Sequence, residues 1–246
     1  MTDPENGERG ERIAKFLARA GIASRRDAER MIEAGRISLN GAKVLHPATF
    51  IAAGDIVLVD GTPVAAPART RLWRYHKPAG LLTTHRDPEG RPTIFERMPA
   101  ELPRVVSIGR LDLNSEGLLL LTNDGALARQ LELPATGWLR RYRVRVHGTI
   151  DPARLAALKG GLVVDGVRFG PIAAEIDSTK GSNSWLSVGL NEGKNREIRK
   201  VMAALGLDTT RLIRIAYGPF QLGNLPRGAV AEVNPKVLRE QLPKAG

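Results

Sequence analysis

The stretch Gly61–Thr70, GTPVAAPART, carries two prolines among alanines and threonines. Proline fixes its own φ and offers no backbone donor, so a stretch of this kind suits neither a helix interior nor a central strand. It reads as a connector that divides the chain. The boundaries expected from it are a small domain over residues 9–63, a linker over 64–70 and a larger domain over 71–242. Residues 1–8 are polar and are expected to form a disordered tail.

Within the small domain, Ile13, Ala14, Phe16, Leu17 and Ala20 recur at helical spacing and Gly21 ends the run. Ser24 is placed to cap a second helix reaching about Ala34, with Asp27 in capping-box position. Two short β-like pieces follow, Arg36–Leu39 and Ile56–Val59, with an Asn40-Gly41 turn after the first. The larger domain reads as strands over Leu72–His76, Val105–Gly109, Leu118–Thr122, Arg141–His147, Ile172–Ile176, Trp185–Leu190 and Leu212–Tyr217. Helices are expected over Ala126–Leu131, Pro152–Leu158, Arg196–Leu205 and Pro235–Gln241. Their order is irregular and not a βαβ repeat, so the fold class expected is α+β: a small αβ domain beside a larger one with a mixed or antiparallel central sheet.

Charge narrows the partners. Lys plus Arg number 37 against 26 Asp plus Glu, a net +11 that suggests a polyanion. The first 70 residues hold ten basic and nine acidic residues, and residues 71–246 hold 27 and 17. Inside the small domain, Arg12 to Arg36 carries seven basic against three acidic residues. An Arg-rich helix on its own is commonly a solvated face; two separate clusters on a strongly basic chain favour nucleic acid. An anionic membrane surface is disfavoured, since no basic amphipathic helix presents Trp or Phe on its apolar side. The longest leucine run, Leu118–Leu121, is far short of a spanning helix, and the N-terminus lacks the apolar core of a secretory signal.

The chain has no cysteine, which excludes disulfides, thiolate metal sites and a cysteine nucleophile. His46, His76, His85 and His147 match no paired-ligand spacing and read as surface or structural histidines, so no metal is expected. Gly189–Lys194, GLNEGK, is one residue short of a phosphate loop and is followed by Asn195 where Ser or Thr belongs. No nucleophile elbow and no dinucleotide fingerprint occur, and no cofactor is expected.

What remains is Ser107–Gly125, SIGRLDLNSEGLLLLTNDG. A strand ends near Gly109, Arg110-Leu111-Asp112 leads into a polar turn at Asn114–Gly117, and an apolar strand follows. From these residues alone Asp112 either caps a turn or carries chemistry.

GRLDLNSEGLLLLTNDG resembles the catalytic motif of the pseudouridine synthases that modify ribosomal RNA. Tyr75-His76-Lys77-Pro78-Ala79-Gly80 is similar to the family's early Lys-Pro-x-Gly motif, Arg141–Val144 to the strand bearing its tyrosine, and EGKNREIRKVM with RLIRIAYGPF to its third motif. Gly21–Arg26 and Gly35–Gly41 resemble the small RNA-binding domain of the ribosomal-protein S-four type. The likeness runs in order over roughly residues 11–235.

The resemblance implies isomerisation of a uridine without metal, redox step or cofactor, on a base rotated out of the RNA stack. It implies Asp112 as the catalytic carboxylate, whose first attack falls on C1′ or C6 or whose first act is removal of the C2′ proton. Arg199 is implied as its partner, with Arg196 three residues earlier as the rival, and Arg110 as the residue that opens the RNA and holds the flipped nucleotide. Tyr142 would stack on the base, though a strand tyrosine is as readily a core residue, and Leu212 or Ile213 would floor the pocket. The basic residues expected on RNA are Arg12, Lys15, Arg25, Arg26, Arg36, Lys77, Lys194, Arg196 and Lys200. The wording of the Asp112 motif is closer to the large-subunit enzymes. The expected setting is a cytoplasmic monomer acting on ribosomal RNA or a pre-ribosomal particle. The rival reading is a catalytically silent RNA-binding protein of ribosome assembly.

Overall fold

A computed structural model describes residues 10–133 and 136–241. The tail expected over 1–8, and the ends of the expected domains at residues 9 and 242, lie outside the described residues. The chain forms two compact units, the smaller comprising residues up to Thr70 together with Pro103–Val105 and Asn123–Gly125.

The small unit runs β1 (Glu11–Arg12), α1 (Ile13–Arg19), α2 (Arg25–Glu33), β2 (Ile37–Leu39), β3 (Ala42–Lys43), β4 (Phe50–Ile51), β5 (Val57–Val59) and β6 (Thr62–Pro63). Ile13 and Leu17 of α1 and Ala28 and Ile32 of α2 bury their apolar stripe against Ile37, Val44, Ile51 and Val57. The cap of α2 forms as expected: the Ser24 hydroxyl accepts the Asp27 N–H at 3.1 Å. Strands β3-β2-β5-β6 make one sheet and β1 pairs with β4. The Asn40-Gly41 turn closes the β2–β3 hairpin with both residues at positive φ, 51° and 84°. Two-residue strands such as β1, β4 and β6 have too little periodicity to read in sequence, and the connector consequently starts later than Gly61. Pro63 is tolerated in β6 because that strand lies at the sheet edge.

The large unit runs β7 (Leu72–Lys77), β8 (Val106–Ile108), β9 (Ser115–Thr122), α3 (Gly125–Glu132), β10 (Arg140–His147), α4 (Pro152–Ala157), β11 (Leu162–Val164), β12 (Val167–Phe169), β13 (Ile172–Lys180), β14 (Asn183–Leu190), α5 (Glu197–Ala204), β15 (Asp208–Tyr217), β16 (Phe220–Gln221), β17 (Val230–Glu232) and α6 (Pro235–Gln241). Its mixed sheet has the order β13-β14-β10-β15-β9-β7-β17, with β16 on β15 and β8 on β9. The β11–β12 hairpin has no counterpart in the sequence expectation.

Strand β9 is buried at all eight positions, as an unbroken leucine run covered on both faces requires. It begins earlier than expected: Ser115, Glu116 and Gly117 belong to the strand and not to a turn. A carboxylate survives there because arginines neutralise it. Glu116 takes a two-pronged contact from Arg211 (2.7 and 3.0 Å) and a further one from Arg227 at 3.1 Å. Leu212 of β15 joins one core cluster while its neighbour Ile213 packs against another, so the cores lie on opposite faces of the sheet.

Along one edge of β9 the neighbour changes. Residues 120–122 pair antiparallel with β8, and 115–117 pair parallel with β15. The pairing at Arg214↔Gly117 is close: Gly117 sits at φ 101°, and a Cβ there would lie 2.2 Å from the Arg214 carbonyl oxygen. Both the backbone conformation and the space demand glycine. Gly117→Ala is therefore expected to lower the unfolding free energy by about 3 kcal/mol. A urea midpoint matching the parent's would show that β9 and β15 can separate without penalty.

Candidate active site

The loop 109–114 connects β8 to β9 at the point where the neighbour of β9 changes, and Asp112 stands near its tip. The backbone of this loop is held at several points along its length. Glu132 Oε1 at the end of α3 accepts the Gly109 N–H at 2.6 Å. The Thr83 hydroxyl donates to the Leu111 carbonyl at 2.8 Å and accepts the Leu111 N–H at 3.3 Å. The Gly80 N–H donates to the Leu113 carbonyl at 2.8 Å, and Ser115 N–H to the Asp112 carbonyl at 3.0 Å. Arg199 Nη2 reaches the Asn114 carbonyl at 3.1 Å.

The strongest hold is Lys77. Expected on RNA, it is fully buried instead. Its ammonium faces the carbonyls of Pro78 (3.0 Å), Asp112 (3.1 Å), Leu113 (3.3 Å) and Ser115 (2.9 Å). Burial pushes the Lys77 ammonium down to about 8, opposed by the carboxylates of Asp112 and Glu116. The last position of β7 points it under the loop, where no phosphate can reach it.

The Asp112 side chain, 34% exposed, faces an open cleft lined by Arg110, Leu111, Tyr142, Leu190, Arg196 and Leu212. Its ion-pair partner is Arg196, Nη1 to Oδ2 at 3.7 Å, and not Arg199. Arg196 is not helical as expected. It caps α5 with φ 51°, a left-handed backbone that turns its side chain away from the helical stripe. Arg199, one turn along, is committed to the carbonyls of Thr209 (2.8 Å) and Asn114. Burial, and then the neighbouring Arg196 guanidinium, lower the Arg199 pKa, partly offset by Asp112 and Asp208.

Tyr142 is 8% exposed and lies on the cleft face of β10. Leu212 lines the cleft, whereas Ile213 points to the opposite face, as alternation along β15 requires. Arg110 and Lys200 are exposed. Lys194 is tied to the Arg168 carbonyl at 2.7 Å and to Glu192, so its charge is answered within the protein. In the small unit, Arg12, Lys15 and Arg25 line one groove, Arg26 is exposed, and Arg36 is clamped by Asp60 at 3.0 and 3.2 Å.

Sequence reading passed over Thr83, Glu132 and the group Glu116–Arg211–Arg227. Only Glu116 left a signal, as an acidic residue directly ahead of an apolar run. Lys77→Met keeps the stem and removes the donor from four carbonyls. The unfolding free energy is expected to fall by about 3 kcal/mol. A loss below about 1 kcal/mol in urea denaturation, within the cost of one ordinary hydrogen bond, would mean that the loop holds without it.

A buried grip on one loop, with a carboxylate, a tyrosine and an arginine presented to an open cleft, is the arrangement against which known proteins can be compared. Residues 71–204 match the RNA pseudouridylate synthase family and residues 11–57 the S4 domain. An uncharacterized RNA pseudouridine synthase of Rickettsia felis is 47% identical over 94% of this chain and 100% of its own. The ribosomal large subunit pseudouridine synthase B of Escherichia coli O6:H1 is 42% identical over 91% of this chain and 79% of its own. A crystal structure of a pseudouridylate synthase superposes with a TM-score of 0.65 at 23% identity, covering 95% of this chain and 100% of the other, and so shares the fold. On the family match and these identities, the chain belongs to the RNA pseudouridylate synthase family.

Proposed function

We propose that this protein isomerises a uridine of large-subunit ribosomal RNA to pseudouridine, acting as a cytoplasmic monomer, with Asp112 as the catalytic carboxylate. The observation that carries the reading is the Asp112 loop, immobilised through its backbone while its carboxylate is left open to a cleft with Tyr142 and Arg196. Isomerisation breaks the N1–C1′ bond, turns the freed uracil and joins C5 to C1′, after which C5 loses its proton and N1 gains one. No electron or external group is needed. The protein must hold a flipped base flat, keep a carboxylate beside the ribose and the C6 edge, and move a proton.

Tyr142 and Leu212 supply the flat apolar bed. Arg196, half exposed, keeps the carboxylate oriented in the empty cleft and remains free to swing toward a phosphate. Arg199 positions the loop from behind through the Asn114 carbonyl. The choice of large-subunit RNA is supported by the Escherichia coli relative, whose name specifies that substrate. Mapping pseudouridine in ribosomal RNA from cells with and without this gene tests it: an unchanged large-subunit map sinks the substrate assignment.

Asp112→Asn keeps the shape and removes the charge. Release of tritium from C5-labelled uridine is expected to stop, with RNA affinity within a few-fold of the parent. Release at a comparable rate would remove Asp112 from the chemistry.

The two arginines should separate. Arg196→Ala is expected to slow single turnover at saturating RNA at least about tenfold, the equivalent of roughly 1.4 kcal/mol, with stability unchanged. Arg199→Ala leaves two carbonyls without their donor and should also lower the unfolding free energy, by about 2 kcal/mol. Parent-like turnover in Arg196→Ala would return the partner role to Arg199.

A further inference from the structure

Strand β10 alternates strictly between core and water beyond its first residue. Tyr142, Val144 and Val146 are buried on the cleft side, while Arg141, Arg143 and Arg145 are exposed on the other. On that second face, α3 and α6 cover the half of the sheet built from β7 and β9 through Leu127, Leu131 and Leu238. The half built from β10 and β14 contributes no residue to that core cluster. It is an open sheet surface with three arginines at alternate positions of one strand, about 7 Å apart by strand geometry.

Neighbouring strands complete the surface. Trp185 of β14 is the register partner of Arg145 and lies under Arg143, whose guanidinium carbon is 4.8 Å from the ring centroid. A guanidinium stacked on indole is held in place without losing its charge. One acidic group on this face, Glu116, is taken up by Arg211 and Arg227. Asp177 lies 3.7 Å from Arg143 and accepts the Ser187 hydroxyl at 2.7 Å; Glu175 is exposed opposite Ser187. Arg141 contacts Gln221 at 3.2 Å. Among the described residues, Arg145 has no acidic partner.

We propose that this open half-face is a second RNA surface, on which the backbone of an RNA segment flanking the target uridine lies along Arg141, Arg143 and Arg145. Guanidiniums in a row along one strand meet successive phosphates of a polyanion, and such contacts position RNA without reading sequence. A small anionic metabolite would need convergent donors in a concavity, whereas these three point in parallel from an open sheet. The proposal rests on the RNA-modifying reading and adds to it a surface separate from the cleft, on the opposite face of the sheet from Tyr142.

The test uses the full chain with two probes: a transcript of the large-subunit ribosomal RNA, and the short stem-loop cut from it around the modified uridine. Arg143→Gln with Arg145→Gln should weaken binding of the long transcript at least about tenfold and reduce the salt slope by about 1.4 to 1.8. Tritium release from the short stem-loop should stay within twofold of the parent. Arg145→Gln alone, which breaks no internal contact, should reduce the slope by about 0.7 to 0.9. Unchanged affinity and slope on the long transcript would overturn the proposal, as would equal losses on both probes. A parent that binds both RNAs but releases no tritium would instead overturn the functional reading and leave the binding comparison intact.

Discussion

One ammonium group, that of Lys77, sits fully buried beneath the Asp112 loop. A buried charge of this kind costs several kcal/mol unless donors and acceptors match it. Here four carbonyls converge on it, three of them from residues 112, 113 and 115. The coupling works in both directions. The loop cannot leave without stranding a charge, and the charge is tolerable only because the loop is there. Carbonyls that in an ordinary hairpin loop would face water are turned inward, while the Asp112 side chain faces the cleft.

That arrangement depends on strand β9. Its first residues pair with β15 and its last with β8, so the loop between β8 and β9 must fold back over the edge where the two meet. Gly117 permits the approach of β15, and Glu116 beside it faces the opposite side of the sheet from Lys77, neutralised by Arg211 and Arg227. Arg211 holds the Glu116 carboxyl below the usual carboxylate range, so it stays charged. A loop held in this way would present its carboxylate already oriented, which is how preorganised sites gain rate and what the proposed reaction calls for.

Much of this was legible in the residues, for identifiable reasons. The leucine run of β9, the Ser24 cap and the alternation along β10 are local patterns, and local patterns survive into the fold. The Asp112 segment was legible as a motif before any geometry was available. Lys77 was misread because a lysine ending a strand looks the same whether it meets a phosphate or four carbonyls; three of the four acceptors come from residues 35 or more positions away. Arg199 was implied as the Asp112 partner by the resemblance, with Arg196 three residues earlier as the rival; a shared helical face does not describe the pair, because Arg196 sits at positive φ ahead of the helix. Two-residue strands in the small unit lie below what any periodicity can register.

Charge shows most clearly where composition misleads. The large unit's basic excess was read as a field for RNA, yet part of it is structural. Lys77 is buried under the loop, Arg214 is 3% exposed with its Nε on the Leu118 carbonyl, Arg199 is tied to two carbonyls, and Arg211 is matched by Glu116. These four cations act inward, fixing β7, β9, β15 and α5 around the Asp112 loop. Among the exposed cations, Arg110, Arg196 and Lys200 stand on the loop and helix by the cleft, and Arg141, Arg143 and Arg145 on the far face of β10. Net charge therefore overstates the number of cations a polyanion can contact, because Lys77, Arg199, Arg211 and Arg214 are already engaged with the protein's own carbonyls and carboxylate.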